Sequence, residues 1–122
     1  MTRVDWPTKH FQRSEFVCHC GCDQCEMQEP FMAQLEKARD IAGIPFEINS
    51  GYRCQEYDKK FGANGNHSTG WAADIAVDVT TRMKIVKALI LAGFERIGVA
   101  TTFVHCDAVP SKIAGLWIYD KG

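Results

Sequence analysis

Apolar side chains recur every three or four residues in two long stretches of the chain, which is the spacing of one face of a helix. The first stretch predicts a helix over residues 30–42, opened by a proline and followed by a glycine. The second predicts a helix that Thr80 or Thr81 caps and that ends at Gly93. A short helix is also predicted from Gln55 to Phe61.

Strands are predicted where apolar residues alternate with polar ones or form short mixed runs. Such segments lie at residues 45–50, 71–79, 96–99, 102–108 and 116–119. After the short helix, residues 62–70 are rich in glycine, asparagine and serine, a composition typical of a loop. Single helices that alternate with hairpin-like strands predict an α+β fold, with a small, mainly antiparallel sheet and two or three helices.

The first 29 residues precede these elements, and we expect them to form an arm and a cysteine-rich loop packed on the domain. Residues 1–17 are polar, with scattered aromatic rings that would anchor the arm: Trp6, Phe11 and Phe16. With 122 residues, the chain is long enough for one hydrophobic core and little more. We therefore predict a single domain over residues 1–122.

The composition is that of an ordinary globular domain and argues against two kinds of partner. Apolar residues make up 46% of the chain, charged residues make up 24%, and the net charge is −1. Such a small charge gives no long-range attraction to nucleic acid or to an anionic membrane. No apolar run approaches the roughly 18 residues that a membrane-spanning helix needs. The first ten residues lack the apolar core of a signal peptide, so we expect a monomer that is cytoplasmic as synthesised.

Six cysteines are many for a chain of this length. Four of them crowd into one loop: Cys18, Cys20, Cys22 and Cys25. Their spacing is tighter than that of the usual zinc knuckles, so two interpretations stand side by side: reduced thiols, or a structural zinc site formed by these four cysteines, with His19 as a substitute for one of them. Disulfides would need an oxidising compartment. We expect Cys54 and Cys106, which stand alone, to pack as small apolar groups.

Two histidines and an aspartate are candidate metal ligands. His67 and Asp74 flank a glycine turn, and Asp74 falls inside a predicted strand, where an unpaired carboxylate would be costly. His105 lies in the strand predicted at 102–108, with Asp107 on the same face and Val104 and Cys106 directed into the core. Catalytic zinc sites use three such ligands and keep a fourth position open for water. Taken as an isolated pair, a histidine beside an aspartate is also consistent with a purely structural hydrogen bond.

Three motifs, in their order along the chain, resemble those of the M15 zinc peptidases. They are Ser50-Gly51-Tyr52-Arg53, His67-x2-Gly70-x-Ala72-x-Asp74 and Phe103-Val104-His105-x-Asp107. This family includes D-Ala-D-Ala carboxypeptidases and phage endolysins, and it shares an architecture with the hedgehog signalling domain. The resemblance implies that His67, Asp74 and His105 bind a Zn2+ ion. It also implies that Arg53 is catalytic, and that Arg53 and Tyr52 contact the substrate or its developing oxyanion.

Two positions depart from the family pattern. Gly65 stands where many relatives have a serine, and Thr102 stands where several branches carry the catalytic acid. Threonine cannot replace that carboxylate, so we assign the general base to Asp107, which shares a strand face with His105. Asp107 could equally orient the histidine through a hydrogen bond, and both roles stay open. For Arg53 the alternative is a surface salt bridge.

By this resemblance the chain hydrolyses an amide next to a D-amino acid in the stem peptide of peptidoglycan. The sequence leaves open whether it removes a terminal residue or cuts within the stem or cross-bridge. We expect a phage or prophage enzyme that reaches the cell wall after release. The competing hypothesis is a catalytically silent cell-wall binding module of the same fold. A zinc nucleobase deaminase is excluded because the chain has no His-x-Glu and no Pro-Cys-x2-Cys motif.

Overall fold

The computed structural model describes residues 3–60 and 65–119. The helices and strands in these residues, in chain order, are α1 (Glu29–Ala42), β1 (Glu47–Ser50), α2 (Gln55–Lys59), β2 (Ala72–Ala76), α3 (Arg82–Leu91), β3 (Arg96–Val99), β4 (Phe103–Asp107) and β5 (Gly115–Ile118). Single turns of 3-10 helix lie at Arg13–Glu15 and His67–Thr69. Every helix and strand that the sequence predicts is present, with ends that differ by up to three residues. Phe61 of the predicted short helix and residues 62–64 of the predicted loop lie outside the described residues.

One boundary differs from its prediction for a clear physical reason. The strand predicted over 71–79 ends at Ala76 because Asp78 turns the chain into α3. The Asp78 carboxylate accepts hydrogen bonds from the backbone N–H groups of Thr80, at 2.8 Å, and Thr81, at 3.0 Å. A short polar side chain that bonds to the backbone ahead of it favours a turn over a continued strand. Neither threonine side chain caps the helix, and Asp78 instead forms the turn that leads into its N-cap residue, Thr81.

The five strands form one sheet in the order β1-β2-β4-β3-β5. The pairs β1–β2, β2–β4 and β3–β4 are antiparallel, and β5 runs parallel to β3. Three helices and a mostly antiparallel open sheet confirm the predicted α+β class.

The period-two alternation of the strands gives the sheet two different faces. One face is apolar and belongs to the hydrophobic core; its residues are Ala73, Ile75, Ile97, Val104 and Cys106. The helices α1 and α3 contribute the facing side chains, among them Phe31, Leu35, Ile85 and Leu89. Because this side of the sheet is sealed by helices, the intervening residues of the same strands are left to build the second face.

The strand register aligns the polar face into rows of neighbouring residues. One row runs through Ser50, Asp74, His105, Gly98 and Trp117, each paired with the next across the sheet. The next row runs through Ala72, Asp107, Arg96 and Gly115 in the same manner. Two of the predicted metal ligands are therefore direct cross-strand neighbours near the middle of the sheet.

The N-terminal arm packs into the same core. Phe11 and Phe16 are buried, and the Trp6 ring lies 5.5 Å from that of Phe16. In the described residues, every helix falls short of the length and apolar character that spanning a bilayer demands.

Candidate metal centre

The three predicted metal ligands meet on the polar face of the sheet. One donor atom from each of His67, Asp74 and His105 lies within 4.8 Å of the other two. Asp74 Oδ1 is 2.9 Å from His105 Nδ1 and 3.4 Å from His67 Nε2. Both histidines are only 4% exposed, so the surrounding protein restricts their rings. Two imidazole nitrogens and one carboxylate oxygen are a donor set that suits zinc.

His67 reaches this point from the 3-10 turn that precedes β2. Its Nδ1 lies 2.8 Å from the carbonyl oxygen of Gly51, which can only accept a hydrogen bond, so Nδ1 carries the hydrogen. The backbone N–H of Arg53 donates in return to the carbonyl oxygen of His67 at 3.3 Å. The lone pair of His67 is thereby placed on Nε2, the nitrogen that faces Asp74.

His105 is held between two carboxylates and presents its other nitrogen. Its Nε2 lies 2.7 Å from Asp107 Oδ2, and its Nδ1 lies 2.9 Å from Asp74 Oδ1. A carboxylate that accepts from one imidazole nitrogen fixes the ring orientation and makes the opposite nitrogen a better metal donor. The centre can therefore take Nε2 from His67 and Nδ1 from His105.

Asp107 is itself held by an arginine that the sequence did not mark. Arg96 Nε donates to Asp107 Oδ1 at 2.6 Å, and Arg96 Nη1 donates to the carbonyl oxygen of Ile113 at 2.8 Å. The guanidinium carbon lies 5.0 Å from the centre of the Trp117 ring, within the range of a cation–π contact. Asp107 is fully buried, so this ion pair is shielded from water.

Arg53 lies on the other side of the centre, beside Asp74. Its Nη2 is 3.4 Å from Asp74 Oδ2, its Nη1 is 3.3 Å from Asp58 Oδ1, and its Nε donates to Ser50 Oγ at 3.0 Å. The side chain is only 12% exposed. The surface salt bridge considered as an alternative for this residue is therefore wrong, because both ion pairs are largely buried next to the metal donors.

The electrostatics follow from these contacts. Burial by itself raises the pKa of Asp74, but hydrogen bonds from His105 and His67 outweigh it and hold that pKa well below its usual range. Burial likewise raises the pKa of Asp107, and His105 and Arg96 more than offset this and lower it. For His105, burial lowers the pKa, whereas hydrogen bonds to Asp107 and Asp74 raise it above the ordinary value. The carboxylates of the centre are thus held ionised, as metal ligands and their partners must be.

Three further residues named from the sequence lie as follows. Tyr52 is 8% exposed and belongs to the core, with its backbone N–H donating to the carbonyl oxygen of Phe16 at 2.9 Å. Thr102 is exposed in the turn that joins β3 to β4. The carbonyl oxygen of Gly65 accepts a hydrogen bond from Ser68 Oγ at 3.0 Å. The predicted contact of Tyr52 with substrate stays a prediction.

Gly98 and Trp117, with Arg96, are site residues that sequence reasoning did not identify. The indole ring of Trp117 lies 5.7 Å from the ring of His105. Gly98 makes this approach possible, because a Cβ atom there would overlap Trp117 Nε1 and come within 2.7 Å of Tyr119 Cε2. Alternation within β3 and β5 places these residues on one face, but only the register between strands shows that they adjoin His105.

The cysteines are arranged differently from the expectation. Cys54, expected to pack as an isolated apolar group, has its sulfur within 4.8 Å of those of Cys18, Cys20 and Cys22. Cys25 stands apart from them, with its sulfur 4.0 Å from the carbonyl oxygen of Arg13. The other lone cysteine, Cys106, is fully buried in the core as expected.

The fold and the centre together define a small α+β domain that carries a buried His–Asp–His group on the polar face of its sheet. The family model for peptidase M15 matches residues 9–107, a span that includes all three donors and Asp107. Because the match covers most of the chain, this protein belongs to the M15 peptidase family. M15 peptidases are zinc-dependent, so membership implies a metallopeptidase. Among curated proteins, none matches the chain.

Proposed function

We propose that this protein is a zinc peptidase that hydrolyses an amide next to a D-amino acid in peptidoglycan stem peptides, as a D,D-carboxypeptidase or an endolysin-type endopeptidase. The observation that carries the proposal is the convergence of His67 Nε2, Asp74 Oδ1 and His105 Nδ1. Each imidazole has its remaining nitrogen bonded to an oxygen acceptor, Gly51 O or Asp107 Oδ2, which fixes the donors before an ion arrives. The cell-wall substrate rests on the resemblance to carboxypeptidases and endolysins.

The donor set fits the ion that the family uses. A Zn2+ ion held by His67, Asp74 and His105 would supply Lewis acidity for the scissile carbonyl and for the attacking water. The chain supplies the geometry: the strand pairing places Asp74 beside His105, and the turn before β2 brings in His67. Burial of both rings limits their motion, which lowers the cost of ordering them around an ion.

Arg53 is our candidate for contact with the substrate. Its contacts to Ser50, Asp58 and Asp74 hold the guanidinium at the edge of the centre. A positive charge there would pair with the carboxylate at the end of a stem peptide or stabilise the oxyanion that develops on the attacked carbonyl. The same charge keeps the Asp74 carboxylate oriented. On the opposite side, Trp117 gives the centre an aromatic wall.

The contacts of Asp107 favour the orienting role over the general base. A general base must reach the water that it deprotonates. Asp107 is fully buried, one of its oxygens accepts from His105, and the other accepts from Arg96. We therefore propose that Asp107 acts through His105, fixing its tautomer and ring orientation, and is a positioning residue.

That Asp107 is not available as a general base also supports the second candidate function, a catalytically silent binding module. Among the described residues, three aspartates lie in or next to the centre, and each is already engaged: Asp74 as a donor, Asp58 in an ion pair with Arg53, and Asp107 with His105 and Arg96. Thr102 occupies the position where several branches of the family have their acid. A chain of this kind could bind zinc and cell-wall peptides without cleaving them, as a silent binding module.

For the setting, we propose a monomer that is cytoplasmic as synthesised and acts on the cell wall after release, with a phage or prophage origin. This rests on the resemblance to endolysins. Appearance of the protein outside host cells only after lysis would support this setting, and its export by intact cells would contradict it.

Digestion of defined muropeptides separates the candidates. Zinc-loaded protein is incubated with a pentapeptide monomer and a cross-linked dimer, and products are identified by mass. Loss of one terminal D-alanine indicates a carboxypeptidase, and conversion of the dimer to monomers indicates an endopeptidase. Chelation should stop either reaction, and His67→Ala should be inactive. Cosedimentation with purified sacculi without any cleavage would establish the binding module instead.

A further inference from the structure

A second group of metal-ligating side chains lies outside the His–Asp–His centre. The sulfur atoms of Cys18, Cys20, Cys22 and Cys54 all lie within 4.8 Å of one another. Each of these cysteines is a free thiol. The Cys18 and Cys20 sulfurs are 3.5 Å apart, and those of Cys20 and Cys54 are 3.7 Å apart.

These separations fit four thiolates around a single ion. Zinc–sulfur bonds of about 2.3 Å in a tetrahedral site place sulfur atoms about 3.8 Å from one another. A disulfide would instead bring two sulfurs to about 2.05 Å. Thiolates are soft ligands, and a four-sulfur set selects zinc or iron among the common divalent metals. Four protein ligands also leave no open position, which is the mark of a structural site.

The chain is folded so that the short C-x-C-x-C spacing does not prevent this convergence. Gly21, between Cys20 and Cys22, has φ of 95°, a left-handed conformation that lets the loop reverse. The backbone N–H of Cys18 closes the loop by donating to the carbonyl oxygen of Gln24 at 2.8 Å. The fourth sulfur does not have to come from this loop, because Cys54, at the start of α2, supplies it.

The environment of the cluster suits bound thiolates. The backbone N–H of Cys54 points to the Cys18 sulfur at 3.3 Å, a contact that stabilises negative charge on sulfur. Cys20 and Cys22 are exposed, so an ion can enter from solvent.

We propose that Cys18, Cys20, Cys22 and Cys54 bind a second Zn2+ ion in a closed structural site. The ion would clamp the N-terminal loop to the segment between β1 and α2. That segment matters because the residue before Cys54 is Arg53, which contacts Asp74, and Gly51 nearby holds His67. The bound ion would therefore hold Arg53 and Gly51 in place beside the His–Asp–His centre without taking part in its chemistry.

Metal counting and cobalt spectroscopy on the full chain test this inference, with protein purified in a reducing buffer free of chelators. The unmodified chain should carry two zinc ions. His67→Ala should keep one, and cobalt exchanged into that variant should show the intense near-ultraviolet charge-transfer band of thiolate ligands. Cys20→Ser combined with Cys22→Ser should lose that band and one ion while retaining the ion at the histidines. Cys25→Ser, in the same loop but outside the cluster, is the matched control and should keep both ions.

Two results would overturn the inference. One is a His67→Ala variant that binds no metal and whose cysteines all react freely with a thiol reagent. The other is a mass two hydrogens lower than expected, with a Cys20–Cys54 disulfide found by peptide mapping. Neither readout uses peptide hydrolysis, so the two proposals can fail separately. If only the peptidase proposal fails, the chain will carry a thiolate-bound ion and no ion at the histidines.

Discussion

Asp107 Oδ2 lies 2.7 Å from Nε2 of His105, two residues earlier on the same strand. The contact decides which nitrogen of His105 carries the hydrogen, and so which one is free for a metal. Arg96, directly opposite Asp107 in the β3–β4 register, holds the other carboxylate oxygen at 2.6 Å. Arg96, Asp107 and His105 thus form a hydrogen-bonded series that fixes the orientation of one donor of the centre.

Replacing Asp107 with asparagine should therefore weaken zinc binding. We expect affinity to fall about 10- to 100-fold, the usual effect of removing a partner of a ligating histidine. At saturating zinc, most of kcat should return, because Asp107 does not touch the reacting atoms. Competition with a chromophoric chelator measures the affinity, and thermal unfolding shows that the variant is folded. Unchanged zinc affinity with a kcat that stays about 100-fold or more lower would instead identify Asp107 as the general base.

Replacing Arg53 with lysine should impair catalysis while zinc remains bound. Lysine keeps the charge but cannot span Ser50, Asp58 and Asp74 as the planar guanidinium does. We expect kcat/KM to fall about 100- to 1000-fold, the range for loss of a group that stabilises an oxyanion. Arg82→Lys is the control, because Arg82 contacts the Thr101 carbonyl oxygen on the exposed surface. Equal activity of the two variants would exclude a role for Arg53 at the substrate.

Replacing Gly98 with alanine should disturb the aromatic wall beside His105. The new methyl group would overlap the Trp117 indole, so the ring must move or the sheet must open. We expect a loss of about 1–3 kcal/mol in the free energy of unfolding, typical of overpacking, and a changed tryptophan fluorescence. Gly115→Ala is matched to it, since a Cβ there meets nothing within 4 Å. Denaturant unfolding of both variants is the measurement, and equal stabilities would contradict the packing described.

Replacing Glu36 with glutamine should loosen the N-terminal arm in a pH-dependent way. Glu36 accepts hydrogen bonds from Thr8 Oγ1 at 2.5 Å and from the His10 backbone N–H at 2.7 Å. Burial raises its pKa, but the bonds from Thr8 and His10 outweigh burial and lower it. A carboxyl whose pKa is lower in the folded chain stabilises the fold above its unfolded pKa, about 4.3, and that contribution is lost as the pH falls through the folded value.

At neutral pH we expect the Glu36→Gln variant to be about 1–3 kcal/mol less stable than the unmodified chain, the range for hydrogen bonds to a charged group. The difference should shrink below about pH 4, where the unmodified chain protonates Glu36. Asp40→Asn on the same helix is the control, because its side chain is 47% exposed and its contacts with Lys9 and, at 3.7 Å, with His10 Nε2 contribute little. Urea unfolding across the pH range tests this. A stability gap that stays constant down to pH 2 would show that the carboxylate charge is irrelevant.

The elements, and the three residues that meet on the polar face of the sheet, could be predicted from the sequence because their signals are local. Apolar spacing marked α1 and α3, and the ordered motifs marked His67, Asp74 and His105. The family match over residues 9–107 confirms the resemblance that those motifs indicated.

What could not be predicted depends on which segments become neighbours. Arg96 and Trp117 join the centre only through the pairing of β3 with β4 and β5, and a strand's own pattern does not reveal its register. Cys54 was misjudged for the same reason, since 32 residues separate it from Cys22. The end of β2 was predicted three residues too late, because a local hydrogen bond at Asp78 competes with the strand pattern.

The central claim, that His67, Asp74 and His105 converge on one zinc ion, is tested most directly by anomalous diffraction. Crystals of the zinc-loaded chain are measured just above and just below the zinc absorption edge, so that the difference map locates zinc alone. We expect a peak about 2.0–2.2 Å from His67 Nε2, Asp74 Oδ1 and His105 Nδ1. No peak between these three atoms in a crystal of fully zinc-loaded protein would contradict the account.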